Sequence, residues 1–327
     1  MLDKLIINHL KNNKGLFVFS DPGGAKPLMS LIKNYGLVNS KIYSDRIYDF
    51  FLDFDILVHN IDDNNDIEKI IINFNPDYVF TGTSYTSDLE LKFLKKANEL
   101  NIKTYSYIDH YTNFRERFCL FNKYIYPKNI ILIDEFAKEI AIKDKLSLQS
   151  NLIVGSNFYK DFLIKWKPKS NRKTFIRNLN IKYNQKIIVF APDPLSNING
   201  KEKYLFDEND VWIELVNVLK EIKLIDFILV IKLHPNQNKE LLHNTISKNT
   251  INNIIYYDQK NSIDLLYHMD IIIGMFSNIL VEASVFNKCI IRHLPFKNFD
   301  DPLIKFNNGL VSKNSSELKL NILKYLT

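Results

Sequence analysis

The feature that most constrains this chain is a regular alternation of short apolar runs with amphipathic segments. Apolar runs of about four to eight residues predict buried strands, and apolar residues at helical spacing predict helices. In the first half the apolar runs are 15–20, 55–60, 77–83, 102–109, 129–134 and 151–155, and helical spacing covers 25–35 and 89–100. Strands that alternate with helices form parallel sheets with right-handed crossovers, so the predicted fold class is α/β.

The alternation stops at one basic, polar segment, KWKPKSNRKT at 165–174, and then restarts. The apolar runs after it are 186–192, 226–235, 253–258, 270–276 and 288–294. A chain of 327 residues is longer than one typical domain. We therefore predict two doubly wound, Rossmann-like domains, 1–164 and 175–327, which are joined by the linker 165–174. Ligands of such sheets bind outside the carboxyl ends of the strands, so we expect a site in a cleft between the domains.

Composition argues against several functional classes. The net charge of +6 is spread along the chain without a basic stripe, which argues against nucleic acid as a partner. Cys119 and Cys289 lie far apart in apolar surroundings, which favours buried thiols in a reducing compartment. The polar N-terminus and the lack of a long apolar run predict a cytoplasmic protein. The mildly basic chain also suits acidic lipids, so peripheral attachment at the inner membrane is an alternative.

The segment KLHPNQN follows the apolar run at 226–231 and places Lys232, His234 and Pro235 at the end of a predicted strand. Proline is tolerated in the first turn of a helix, so we expect a helix to begin here. The free amides of that turn, with His234 and Lys232, would form an anion site. Alternatively, His234 hydrogen-bonds a neighbouring carbonyl group and takes part in no chemistry.

A second candidate anion site follows the strand predicted at 270–276. Ser277 is a favoured N-cap residue, Asn278 would begin a helix, and Glu282 would lie one turn further on the same face. The hydroxyl group and the first-turn amides could bind phosphate, and the carboxylate could bind a ribose hydroxyl pair. The alternative is a capped helix that carries a solvated acid.

The order KLHP, SIDLL, DIII, SNILVEA and NKCII resembles the nucleotide-binding domain of GT-B glycosyltransferases. It is most similar to a branch with bacterial sialyltransferases, capsule Kdo transferases and teichoic-acid glycerophosphotransferases. This resemblance implies that His234 and Ser277 contact the donor phosphates, and that Asn278 and Glu282 line the nucleotide pocket. Many relatives have Ser-Ser or Ser-Thr where this chain has Ser277-Asn278, which leaves the donor open. UDP-GlcNAc 2-epimerases share the architecture and a similar Ser-Asn segment.

Two loops facing the donor in this interpretation supply further candidates. In FAPDPLSN, Asp193 and Ser196 could approach the donor phosphates, although a plain proline-rich turn is the alternative. In VGSNF, Gly155 and Asn157 fit the crossover between GT-B domains, although Gly155 could simply be a turn glycine.

The first half offers groups for the acceptor side. In SDPGGA, Gly23 and Gly24 allow close approach of the backbone to a ligand, and Asp21 could act as a base or hold an acceptor hydroxyl. A tight turn without a ligand is the alternative. Thr83 belongs to a hydroxyl-rich strand end, TGTSYTSD.

The segment SYIDHYTNFRERF is dense in ionisable groups. Glycosyl transfer needs a base for the acceptor hydroxyl and cations for the departing phosphate. Asp109, His110 and Glu116 are candidate bases, and Arg115 and Arg117 are candidate cations. The alternative is a salt-bridged loop at the rim of the domain.

These patterns predict a metal-independent glycosyltransferase, since HExxH and CxxC motifs are missing from the sequence. The donor would be a CMP-, CDP- or UDP-linked sugar without any further cofactor, and the acceptor a glycan or glycolipid. The pattern SDPGGA, TGT, DH and NFRERF is similar to that of proteins of bacterial polysaccharide loci, which implies surface polysaccharide (capsule or lipopolysaccharide) synthesis. The alternatives are a CDP-polyol phosphotransferase, a UDP-GlcNAc 2-epimerase or hydrolase, and a non-catalytic nucleotide-binding partner.

Overall fold

A computed structural model of the chain describes residues 2–62, 65–84, 86–168, 170–222, 226–234, 237–257, 262–296, 301, 303 and 309–326. The chain forms two compact units, Met1–Lys165 and Trp166–Thr327. The predicted linker 165–174 begins at the last residue of one helix and ends inside the next, which begins at Arg172.

Unit 1 is built around a parallel sheet of seven strands, in the order β3-β2-β1-β4-β5-β8-β9. Its strands, together with the small antiparallel pair β6-β7, are β1 (Gly15–Val18), β2 (Ser40–Ser44), β3 (His59–Asn60), β4 (Tyr78–Thr81), β5 (Lys103–Ile108), β6 (Cys119–Leu120), β7 (Lys123–Tyr124), β8 (Asn129–Leu132) and β9 (Asn151–Val154). Its helices are α1 (Lys4–Asn12), α2 (Pro22–Tyr35), α3 (Ile67–Phe74), α4 (Leu89–Glu99), α5 (Glu135–Lys143) and α6 (Phe158–Lys165).

Unit 2 contains a parallel sheet of six strands, in the order β12-β11-β10-β13-β14-β15. The strands are β10 (Lys186–Ala191), β11 (Phe227–Ile231), β12 (Ile254–Tyr256), β13 (Ile271–Gly274), β14 (Cys289–His293) and β15 (Leu310–Ser312). The helices are α7 (Arg172–Asn178), α8 (Gly200–Tyr204), α9 (Glu208–Glu221), α10 (Lys239–Lys248), α11 (Ile263–His268), α12 (Asn278–Ser284) and α13 (Ser315–Leu326).

The apolar runs form strands because both faces of each sheet are covered. On β10, Ile188 and Phe190 belong to one buried cluster, whereas Ile187 and Val189 belong to another. Successive side chains of a strand point to opposite faces, so a run of consecutive apolar residues suits a sheet buried on both sides. The two parallel sheets confirm the predicted α/β fold class with two Rossmann-like domains.

Each sheet has a point at which the order of its strands reverses. In unit 1 the chain proceeds from β1 outward to β3 and then returns to β4 on the other side of β1. In unit 2 it proceeds from β10 to β12 and returns to β13. These are the switch points of doubly wound sheets, where the loops on either side diverge and leave a crevice at the carboxyl edge.

Several predicted boundaries were wrong. Only His59–Asn60 of the run 55–60 is a strand, and Asp55 at the start of the run has a positive φ of 53°. Helix α2 begins at Pro22, so Gly23 and Gly24 lie in its first turn and not in a loop. Among the described residues, no helix combines the length and the apolar character needed to cross a membrane.

Candidate functional site

The switch point of unit 1 is bridged by Asp21, which follows β1. Its carboxylate accepts hydrogen bonds from the hydroxyls of Ser84 (2.6 Å) and Thr86 (2.7 Å), which follow β4. It also accepts a hydrogen bond at 2.5 Å from the guanidinium of Arg46, which follows β2. The carboxylate therefore connects three strand ends. We call Asp21, Arg46, Ser84 and Thr86 the Asp21 cluster.

Arg46 is a site residue that the sequence analysis missed. It donates to the backbone carbonyl of Thr86 at 2.8 Å in addition to Asp21, and its side chain is about one-third exposed. Its place in the cluster depends on β2 lying beside β1, and β2 was not among the predicted strands. The only signal in the sequence was a cation after an apolar-polar alternation, SKIYSDR.

A buried carboxylate lies beneath the Asp21 cluster. Glu90, in the first turn of α4, is 2% exposed and accepts hydrogen bonds from the backbone N–H groups of Ser20 (3.3 Å) and Ser84 (3.2 Å). Burial, with the nearby charge of Asp21, raises the pKa of Glu90 well above its usual value. Glu90 thus joins the backbone at the ends of β1 and β4.

Asp109 and Arg117 form a second group at the carboxyl edge of unit 1. Arg117 Nη1 lies 3.2 Å from Asp109 Oδ1 and donates to the backbone carbonyl of Thr83 at 2.8 Å. The hydroxyl of Thr83 donates to the carbonyl of Tyr107 at 3.1 Å. A Cβ atom at Gly23 would collide with the Asp109 carboxylate, so glycine lets the first turn of α2 approach this acid closely.

His110 lies beside this pair, and its Nδ1 is 3.1 Å from the hydroxyl of Thr112. Burial is the main cause that lowers the pKa of His110; Asp109 opposes the shift and Arg117 adds to it. A neutral imidazole can accept a proton, so this residue suits general-base chemistry near neutral pH.

Two further candidates of the same segment lie at the surface of unit 1. The side chains of Arg115 and Glu116 are exposed, and the Arg115 guanidinium stacks 4.7 Å above the ring of Tyr124.

Gly155 and Asn157 make contacts within unit 1. A Cβ at Gly155 would lie 2.8 Å from Ile131 Cγ2, so a side chain there would clash with β8. Asn157 Oδ1 accepts the backbone N–H of Lys160 at 3.0 Å, which satisfies an amide in the first turn of α6. Gly24 packs in a similar way, since its Cβ would lie 3.1 Å from the Cα of Gly82.

The switch point of unit 2 is bridged by Asp193, which follows β10. Its Oδ2 accepts the backbone N–H of Phe276 at 2.8 Å, and the amides of Ser277 and Met275 also stabilise its charged form. Burial outweighs these bonds and raises the pKa of Asp193 to about 6. This buried acid holds the loop after β13 in place because it accepts hydrogen bonds from the backbone of the loop.

A second buried acid organises the neighbouring loops of unit 2. Glu208, the first residue of α9, is fully buried and accepts the hydroxyl of Ser196 (2.5 Å) and the side-chain amide of Gln237 (2.6 Å). Ser196 follows β10 and Gln237 follows β11, so Glu208 ties two strand ends together. The Ser196 hydroxyl therefore donates its hydrogen bond to an acceptor within the protein.

The predicted helix start at KLHPNQN was wrong. Helix α10 begins at Lys239, and Asn238 Oδ1 caps it by accepting the N–H of Leu241 at 3.2 Å. The carbonyl of His234 accepts the N–H of Gln237 at 3.0 Å. Pro235 lies outside the described residues.

The remaining predicted groups follow two strands, one on either side of β10, that end at about the same level of the sheet. Ile231 at the end of β11 and Ile273 near the end of β13 both pair with Phe190. Lys232 and His234 follow the first of these strands, and Ser277, Asn278 and Glu282 follow the second. Two strand spacings, about 10 Å, separate β11 from β13.

The position of Ser277 was predicted correctly as the N-cap of α12, but its side chain makes no capping hydrogen bond. Asn278 is the first residue of this helix, and Glu282 is 8% exposed and so is not a solvated acid. Within the part of the chain that the structure describes, no group of three His, Cys, Asp or Glu residues could hold a metal ion.

No family model and no curated protein sequence matches this chain. Solved structures do resemble it. UDP-GlcNAc 2-epimerase from Methanocaldococcus jannaschii has 15% identity and a TM-score of 0.66, with 96% of this chain and 93% of that chain covered. The enzyme from Neisseria meningitidis bound to UDP-GlcNAc has 16% identity and a TM-score of 0.67, with 95% and 91% covered.

A glycosyltransferase from Rickettsia africae ESF-5 has 17% identity and a TM-score of 0.57, with 95% of this chain and 88% of that chain covered. At such identities the likeness shows the fold. The chain therefore has a GT-B-like fold, which glycosyltransferases and UDP-GlcNAc 2-epimerases share.

Proposed function

We propose that this protein is an enzyme that cleaves the bond between a sugar and the phosphate of its nucleotide carrier. The proposal rests on one observation: the strand that precedes Lys232 and His234 and the strand that precedes Ser277 end at about the same level on either side of β10. This edge adjoins the switch point, where doubly wound sheets bind their ligands. A cation, an imidazole and a hydroxyl are groups that stabilise a departing phosphate.

The scaffold around these groups suits that role. Asp193 holds the backbone before Ser277, and Glu208 fixes Gln237 just beyond His234. Donors fixed before the reaction stabilise developing charge without a reorganisation cost. Asn278 and Glu282 would then contact the nucleoside, and no metal or other cofactor is needed in this mechanism.

The first candidate reaction is glycosyl transfer to a hydroxyl of a glycan or glycolipid, in the synthesis of a bacterial surface polysaccharide. Asp109 and His110 would supply the base that removes the acceptor proton, and Arg117 would orient Asp109. The Asp21 cluster, with its hydroxyls and its guanidinium, would hold the acceptor. This assignment places the protein in the cytoplasm, with its acceptor reached at the inner membrane.

The second candidate is epimerisation of the sugar of a UDP-sugar, in which the same bond is broken and then re-formed. The specific observation in its favour is the likeness to UDP-GlcNAc 2-epimerases over more than 90% of both chains. Two of these structures contain UDP-GlcNAc. Both candidate reactions use the unit 2 groups in the same way and differ in what the unit 1 base deprotonates.

Thermal shift with CMP, CDP, UDP and GDP tests the shared part of the proposal. A ligand that binds the folded protein raises the melting temperature of the protein. The nucleotide with the matching nucleobase should therefore raise the melting temperature more than the others. His234→Ala should remove that shift, whereas Leu52→Ser, far along the sequence in unit 1, should retain it. If no nucleotide shifts the transition, the proposal is wrong.

Incubation of the matching nucleotide sugar with the protein alone distinguishes the two reactions. NMR would show an epimer of the intact nucleotide sugar for the second candidate. Turnover that requires an added glycan acceptor would support the first. Transfer of a polyol phosphate from a CDP-polyol would instead identify the phosphotransferase alternative.

A further inference from the structure

The hairpin β6-β7 presents an aromatic side chain at its tip. Its strands pair Cys119 with Tyr124 and Leu120 with Lys123, which leaves Phe121 and Asn122 as a two-residue turn. Both turn residues have positive φ, 47° and 62°. Asparagine tolerates this conformation, but for a bulky residue such as phenylalanine it is strained. The Phe121 side chain is nevertheless 77% exposed, so neither backbone preference nor burial accounts for it.

The base of the hairpin is fixed to unit 1. The ring of Tyr126 lies 5.7 Å from the buried ring of Phe118, and the N–H of Ile125 donates to the Phe118 carbonyl at 2.8 Å. Asn98 of α4 donates to the carbonyl of Tyr126 at 2.9 Å. The exposed tip is therefore carried by a base with its own packing and hydrogen bonds.

Cationic side chains neighbour the exposed rings of the hairpin. The Arg115 guanidinium lies 4.7 Å above the Tyr124 ring, which is 45% exposed, and Lys123 lies between Tyr124 and the tip. The segment 115–128 has three exposed cations, Arg115, Lys123 and Lys128, against one exposed anion, Glu116. Aromatic tips among Arg and Lys are the composition that binds the interface of an anionic bilayer.

We propose that this hairpin docks the protein on an anionic lipid surface. Phe121 would insert between the acyl chains, Tyr124 would lie at the level of the head groups, and Arg115 and Lys123 would contact phosphates. This surface function goes beyond the proposed enzymatic activity and does not depend on it.

A second segment of unit 1 also exposes an apolar side chain, but it carries the opposite charge. Leu52 is 82% exposed, as prominent as Phe121, but residues 45–57 carry four aspartates and one arginine. An anionic surface would repel this segment. Leu52 is therefore a matched control for the removal of an exposed apolar side chain.

Co-sedimentation of the full chain with vesicles tests the proposal. The protein should bind vesicles of equal parts phosphatidylglycerol and phosphatidylcholine, bind phosphatidylcholine alone weakly, and lose binding as salt rises. Phe121→Asn keeps a residue suited to the turn and should weaken binding about tenfold, since it removes one inserted aromatic side chain. Lys123→Glu should weaken it by a similar factor, about tenfold, because it reverses one charge near the surface.

Leu52→Ser should bind as the natural chain does, and circular dichroism should show the same fold for all variants. The proposal is overturned if the natural chain does not bind anionic vesicles, or if Phe121→Asn binds them unchanged. It is also overturned if sedimentation velocity shows a dimer that Phe121→Asn abolishes, because a second copy would then cover the hairpin.

Discussion

The two switch points are each bridged by an aspartate that follows the first strand of the unit, but the two acids differ in their partners. Asp21 is 21% exposed as a side chain and accepts side-chain donors, namely two hydroxyls and a guanidinium. Asp193 is buried and accepts backbone N–H groups of one loop. Side-chain partners can rotate toward a ligand, whereas backbone partners set the path of the chain. The first acid thus joins side chains of three loops, and the second holds the backbone of one loop.

The buried glutamates extend this contrast. Glu90 in unit 1 takes backbone amides at the ends of β1 and β4, while Glu208 in unit 2 takes side-chain donors from the loops after β10 and β11. In both units, therefore, a buried glutamate in the first turn of a helix joins two loops at the carboxyl edge of the sheet. In unit 2 the side-chain donors of Ser196 and Gln237 go to Glu208, while Asp193 accepts backbone N–H groups.

The largest effect should follow from His234→Ala. If unit 2 binds the departing phosphate with edge groups and not with its acids, this change removes a direct contact. Loss of one such donor reduces turnover by about 10²–10³-fold. Steady-state kinetics with the nucleotide sugar that the thermal-shift panel identifies measures the effect. Full turnover in this variant would show that His234 does not stabilise the departing phosphate.

Asp193→Ala should mainly affect stability. The change leaves the buried amides of the loop after β13 without an acceptor, which costs on the order of 3 kcal/mol of unfolding free energy. Urea denaturation of the natural chain and the variant measures the difference. Asp193→Asn, which keeps an acceptor oxygen, is the matched control and should lose less; equal losses would show that charge, not acceptance, matters.

Asp193 should also make stability depend on pH in a defined window. Its pKa is raised to about 6 in the folded state from 3.8, so the folded state binds more protons between these values. Its contribution is fully present below about pH 4 and is lost as pH rises through 6, by about 3 kcal/mol in total. Urea denaturation midpoints are measured from pH 4 to 7 for the natural chain and for Asp193→Asn. The difference between the two midpoints at each pH gives the pH dependence that Asp193 contributes. A difference that does not vary with pH would contradict it.

The smallest change in stability should come from Asp21→Ala. Partly exposed ion pairs contribute about 0–1 kcal/mol, so the melting temperature should fall only slightly. Activity should fall nonetheless if this acid faces the acceptor. A variant that unfolds as readily as Asp193→Ala would show that both switch points use their aspartates alike, and the comparison would fail.

The sequence predicted the fold because buried parallel strands leave a direct trace, as in KIIVFA of β10. It did not predict β2, since SKIYS is largely polar and only two of its residues are buried. Asp109 and Arg117 were chosen together because they lie only eight positions apart in one segment. Arg46 and Asp21 meet only through the order of the strands, which a single sequence does not specify.

The buried acids were missed for a different reason. Glu90 and Glu208 lie in the first turns of helices, where an acid is ordinarily exposed and favoured by the helix dipole. Nothing in the local sequence separates a solvated acid from one that accepts hydrogen bonds inside the protein. Only the packing of neighbouring loops makes that distinction.

The close approach of Gly23 to Asp109 makes it possible to move this carboxylate without changing any charge. A methyl group added there carries no charge and changes no hydrogen-bonding group, yet it must displace the Asp109 carboxylate or the first turn of α2. Gly23→Ala would therefore alter the position of this acid while every ionisable group stays in the protein. Geometry and charge, which substitutions of Asp109 itself always change together, become separable at this one contact.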